Sequence, residues 1–119
     1  MEPRDIRERV IDYVVRVVKL HLFLCRRCGD AGMIFGKQLL RAAGSVGANL
    51  TEAQAGESRA DFIHKTSIAQ KEARECLYWL RVLQRAELVS GKRLSPLLKE
   101  TNEIVAIITA ILVNSKRPK

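Results

Sequence analysis

A chain of 119 residues, 47% hydrophobic but only 5% aromatic, has room for one domain with an aliphatic, alanine-rich core, which suits helices packed at short distance. Its formal net charge of +8 favours polyanionic partners such as RNA, DNA or an acidic membrane surface, although ordinary soluble domains also carry such a charge. Three cysteines cannot all pair, no secretory signal is read, and the apolar run 104–113 is too short to span a bilayer, so the expectation is a reducing cytoplasm and no membrane insertion.

No alternating Val/Thr/aromatic run is bounded by a hairpin turn, and prolines stand only at positions 3, 96 and 118. All-α is the reading. The first helix is predicted over about 4–28, opened by Pro3 and acidic residues in its first turns and closed by the break Gly29-Asp30-Ala31-Gly32. Ile6, Val10, Tyr13, Val17 and Leu24 form one seam, with His21 at a step of it. Ile11, Val15, Val18 and Leu22 form a second. A helix with two apolar stripes touches more than one neighbour.

The second helix, about 33–55, carries the seam Leu39, Ala43, Val46, Leu50 and Ala53, and Gly56 follows it. Gly44, Gly47 and Ala48 lower its helix propensity, which predicts that they serve a close backbone approach. Ser58-Arg59-Ala60-Asp61 reads as a cap for a third helix over about 59–88. Its seam is Phe62, Thr66, Ala69, Ala73, Cys76, Leu80 and Leu83, with Ile68, Trp79 and Val82 on its flank. Ser90-Gly91-Lys92-Arg93 reads as a break, and Ser95-Pro96 as the cap and first position of a fourth helix over about 96–114. A basic tail at 115–119, expected to fray, ends the chain. Short loops between such helices predict a single domain over 1–119, an antiparallel up-down-up-down four-helix bundle.

His21, Cys25 and Cys28 read H-x3-C-x2-C, but a structural zinc site wants four ligands and no second cysteine pair exists, so no metal or cofactor is predicted. Gly44-Ser45-Val46-Gly47 lies inside a helix and offers no free amides to a phosphate. Neither a nucleophile elbow nor a phosphate loop is present, so no catalytic residue is assigned and the chain is read as no enzyme.

A polar stripe is more informative. Arg41, Ser45, Asn49 and Glu52 stand above one another on one side of the second helix. If helices two and three form a hairpin near Gly56-Glu57, Arg41 lies level with Glu72, Ser45 with Ile68 and Asn49 with His64, with Glu75 one turn on. The economical explanation is a half-buried polar network of Arg41, Ser45, Asn49, Glu52, Glu72 and Glu75 that fixes helix register; the alternative is a ligand or phosphate contact.

Basic residues concentrate elsewhere. Arg81 and Arg85 share a helix face ahead of the Lys92-Arg93 loop, and Arg26 and Arg27 close the first helix. In an up-down-up-down bundle the one-two and three-four loops fall at the same end, so Arg26, Arg27, Arg81, Arg85, Lys92 and Arg93 add into a footprint for RNA or DNA. Trp79 and Phe62 are better explained as packing, so such binding is expected to follow shape and charge rather than base stacking.

The run Gln38-Leu39-Leu40-Arg41-Ala42-Ala43, then Ser45, Asn49 and Glu52, then Lys71-Glu72-Ala73-Arg74-Glu75 and Tyr78-Trp79-Leu80 resembles the bacterial four-helix-bundle proteins encoded in intervening sequences of large-subunit ribosomal RNA genes. The resemblance covers roughly residues 5–113, and R-x3-S-x3-N-x2-E before an acidic third helix carries it. It implies a homopentameric ring. A related branch comprises accessory proteins of diversity-generating retroelements, basic pentamers that bind nucleic acid and a reverse transcriptase. The family supplies no catalytic residue to match. Two readings stand: a basic homo-oligomer that binds RNA or DNA, and a structural oligomer or protein-interaction module that does not.

Overall fold

Four helices follow one another with little connecting chain: α1 (Ile6–Arg27), α2 (Gly29–Gln54), α3 (Arg59–Arg85) and α4 (Gly91–Ser115). The computed structural model describes residues 5–118, so the expected helix start at residue 4 and the last tail residue, Lys119, lie outside the described residues. Among the described residues there is no strand. α2 packs on α1 and α3, and α4 packs on α3 and, more lightly, on α1, leaving α1 and α3 on one diagonal. The result is an antiparallel up-down-up-down bundle 51 Å long.

The seams read from the spacing form its core. Val10, Val17 and Leu24 of α1, Leu39 and Val46 of α2, Leu80 and Leu83 of α3, and Ile104 and Ile108 of α4 are at most 1% exposed. Each such side chain contributes about 1.5–3 kcal/mol by leaving water. Ala42, Ala43, Ala69 and Ala73 are at most 1% exposed, so α2 and α3 bring small side chains into the core. In α1, Leu20 rather than His21 completes the buried stripe.

The helix starts depart from the spacing in two places. α2 begins at Gly29, not near Met33, because the break is one residue deep: Gly29 takes φ +59 and α2 starts at once. The turn is tight enough that a Cβ on Gly32 would lie 2.4 Å from Cys28 Cβ and 2.6 Å from the Leu24 carbonyl oxygen. One on Gly36 would lie 2.8 Å from His21 Nδ1. The close approach expected at Gly44, Gly47 and Ala48 therefore occurs at Gly32 and Gly36. Gly44 has nothing within 4 Å of its missing Cβ, and Gly47 only ordinary contact with Val10.

α4 begins at Gly91, not at Pro96. The Ser90 hydroxyl accepts from the Arg93 N–H at 3.2 Å, and fully buried Leu94 draws this first turn onto the core. Pro96 then sits inside the helix, and Lys92 and Arg93 belong to its first turn rather than to a loop. α3 starts as expected, with the Ser58 hydroxyl accepting from the Asp61 N–H at 3.1 Å. It stops at Arg85 rather than near residue 88, because Glu87 takes φ +59 and the Leu88 N–H turns back to the Leu83 carbonyl at 3.2 Å. Beyond α4, the tail is tied to α3: Arg59 donates from Nε to the Ser115 carbonyl at 2.7 Å and from Nη2 to that of Arg117 at 2.8 Å.

Polar contacts also join α1 to α4. The Thr101 hydroxyl donates to the Leu97 carbonyl at 2.7 Å, so its single proton is committed and the buried Tyr13 hydroxyl must donate to it, also at 2.7 Å. Closer to the α1 N-terminus, Arg9 grips Glu100 through two hydrogen bonds, at 2.7 and 2.8 Å, and reaches Glu103 at 3.0 Å. The second apolar stripe of α1 stays partly in solvent: Ile11 is 53%, Val15 46%, Val18 39% and Leu22 48% exposed.

Candidate nucleic-acid interface

At one end of the bundle the α1–α2 turn touches the α3–α4 connection, where the Cys28 thiol donates to the Leu88 carbonyl at 3.2 Å. Beside this contact the first turn of α4 faces the last turns of α1. Lys19, Arg26, Arg27 and Arg93 line an open hollow there with Leu22 and Phe23. Arg93 lies over the Phe23 ring, 4.0 Å from its centroid, and this fixes its position. A neighbouring hollow continues along the α1–α4 groove, adding Arg16 to Lys19 and Arg93. Among the described residues, none of these cations takes part in an ion pair.

Arg81 and Arg85 are not part of that hollow. They lie on the outer face of α3 with Arg74, Leu77, Tyr78 and Val82, along a step of four, three and four from Arg74. The six cations expected in one footprint are thus divided. Arg26, Arg27 and Arg93 converge between α1 and α4, Arg81 and Arg85 lie along α3, and Lys92 is exposed and lines neither hollow. Spacing along each helix also contained Arg16, Lys19 and Arg74; what it lacked was the pairing of α1 with α4.

The aromatic residues form a run outward from the α2–α3 contact. Phe35 stacks on Trp79 with centroids 5.8 Å apart, and Tyr78 meets Trp79 edge to face at 4.9 Å. Trp79, Ile68 and Val82 are half-buried, as is Phe62. Tyr78 is 58% exposed, and the reading of Trp79 and Phe62 as packing left it out.

The polar stripe resolves into three pieces. Arg41 reaches Glu72 through Nη1 at 3.3 Å and Glu75 through Nη2, and the Trp79 indole N–H donates to the same Glu75 oxygen at 3.3 Å. Asn49 bonds within its own helix, donating to the Ser45 carbonyl at 2.9 Å and to the Ser45 hydroxyl at 3.1 Å. Glu52 is held by Lys65 at 3.0 Å. Glu72 is mostly buried, with 13% of its side chain exposed, whereas Arg41 keeps 52% of its own in solvent. His21 and Cys25 approach each other, with Sγ 3.5 Å from Nε2, while Cys28 points to Leu88. Among the described residues, no three potential metal ligands converge, and no helix is long and apolar enough to cross a membrane.

The sequence profile of the 23S rRNA-intervening sequence protein family matches residues 4–110. No curated protein matches the chain. Among solved structures it is similar to one from Bacteroides thetaiotaomicron, described as a protein with unknown function from the S23 ribosomal protein family. The two share 35% identity and a TM-score of 0.85 over 91% of this chain and 98% of that one.

Proposed function

The chain belongs to the 23S rRNA-intervening sequence protein family, and from there we propose that it is a non-enzymatic basic bundle that binds RNA or DNA as a homo-oligomer. The observation that carries this reading is the convergence of Lys19, Arg26, Arg27 and Arg93 on one hollow without acidic partners among the described residues. Uncompensated cations at one end of a rigid bundle attract a phosphate backbone through its charge and shape. Guanidinium, ammonium and aliphatic groups hold an anion there but do no general-base work at neutral pH. The three free thiols, Cys25, Cys28 and Cys76, fit a cytoplasmic location.

Self-association is the second half of the proposal. Ile11, Val15, Val18 and Leu22 run along the outside of α1, and Ile11 and Val15 flank a shallow hollow floored by Gly44, Gly47 and Ala48 of α2. A second copy would cover that stripe, and the stoichiometry we propose is the pentamer implied by the family resemblance. The same stripe favours the alternative of an interaction module without nucleic acid. Crosslinking and sequencing of nucleic acid bound in native cells separates the two. Enrichment of RNA or DNA fragments supports the binding reading; a flat background, with the purified protein still oligomeric by light scattering, supports the module.

A further inference from the structure

We propose that Tyr78, with Arg74, Arg81 and Arg85 around it, is a stacking site for an unpaired base of a single-stranded nucleic acid. The inference rests on the nucleic-acid reading above and adds to it a second surface and a strand preference. Tyr78 is the most exposed large hydrophobic or aromatic side chain among the described residues, at 58%. It projects from the outer face of α3, four residues after Arg74 and three before Arg81. At 1.5 Å per residue the two guanidinium-bearing residues flank the ring at about 6 and about 4.5 Å along the helix axis, with Arg85 one turn further.

The ring is open but held. Its edge-to-face contact with Trp79 braces it on one side. Trp79 is itself fixed between the Phe35 ring and the Glu75 carboxylate, which Arg41 neutralises from α2. Among the described residues the cation that lies over an aromatic ring is Arg93, on Phe23, so the arginines beside Tyr78 leave its surface uncovered. Arg74, Arg81 and Arg85 take part in no ion pair among the described residues.

A fixed, exposed ring among unpaired cations suits a base with its phosphates to either side. In a duplex each base face is already stacked on its neighbours, so this arrangement selects a single strand. In the pentamer proposed above, copies meet through unlike faces, so the mass of the Tyr78→Ala variant reads whether a neighbouring copy covers this ring.

Fluorescence anisotropy with a labelled oligouridine and with an RNA duplex of equal length tests the inference on wild type, Tyr78→Ala and Tyr78→Phe. Removing the ring should weaken oligouridine binding about tenfold, while the phenyl ring of Tyr78→Phe should hold it within about twofold of wild type. Duplex binding and the mass by sedimentation should not change in either variant. Equal oligouridine binding by wild type and Tyr78→Ala, with duplex still bound, overturns the stacking site and leaves the general reading standing. Binding of neither nucleic acid by wild type overturns both. A mass change in Tyr78→Ala, with oligouridine binding intact, would make the ring a contact between copies and overturn the inference.

Discussion

Arg41 on α2 spans the helix contact to Glu72 on α3, with Nη1 3.3 Å from Oε2, and touches Glu75 one turn further. The carboxylate is the buried partner and the guanidinium the exposed one, so the two ends of the pair are not equivalent. Arg41→Ala leaves Glu72 mostly buried without its cation and should cost about 1–2 kcal/mol, less than a fully buried pair because Arg41 is half in solvent. Arg41→Ala combined with Glu72→Leu should recover most of that, since the buried charge leaves too. Urea denaturation of the two single variants and the double variant measures the coupling. Equal stability of wild type and Arg41→Ala would return Arg41 to the role of a surface cation.

The glycines divide by what surrounds them. A Cβ on Gly32 meets Cys28 Cβ and the Leu24 carbonyl, so Gly32→Ala must push α1 and α2 apart and should cost about 2–3 kcal/mol. Gly44 is helical and no atom of its own chain lies within 4 Å of a Cβ there, so Gly44→Ala should stabilise the protomer by about 0.5–1 kcal/mol through helix propensity. Thermal melts of the two variants should therefore move in opposite directions.

Thr66 is 1% exposed, and its hydroxyl has no hydrogen-bond partner among the described residues. Thr66→Val keeps the branched shape and removes the unsatisfied group. It should raise stability by about 1 kcal/mol, read as an upward shift of the denaturation midpoint at unchanged slope.

The Arg9 hydrogen bonds hold the Glu100 carboxyl below its ordinary range. A carboxylate whose folded pKa is depressed contributes stability above its unfolded value, about 4.3, and loses it as pH falls through the lower folded value. Wild type should therefore lose stability through Glu100 on acidification below about pH 4.5. Arg9→Ala should be about 1–2 kcal/mol less stable at neutral pH, with a shallower acid limb. Denaturation midpoints measured from neutral pH down into the acid limb check both the sign and the window.

Much of this molecule was legible where one helix faces another with a regular period. The α2 and α3 seams follow from steps of three and four, and the count around Gly56 sets Arg41 level with Glu72 without any knowledge of side-chain direction. Spacing failed where a local signal had two meanings. Gly29 to Gly32 has the composition of a loop, yet Gly32 is helical, and the residue there is glycine because α1 and the turn leave no room for a side chain. Ser90 and Ser95 are both competent caps, and it is burial of Leu94, a tertiary fact, that selects Ser90. The basic surface needed more than spacing. Counting cations by chain end does not say which hollow each one lines: Arg81 and Arg85 line one along α3, and Arg26 lines one between α1 and α4.

The central claim is that the cations between α1 and α4 bind a phosphate backbone. It is tested most directly by the salt dependence of RNA binding to wild type and to Arg26→Ala/Arg27→Ala. Both positions are exposed, so the double variant should keep the wild-type melting temperature. For a duplex RNA probe the logarithm of affinity should fall linearly with the logarithm of salt concentration, and removing two phosphate contacts should make that slope shallower by about two. Wild type that fails to bind at low salt, or a double variant with the wild-type affinity and slope, would contradict the account.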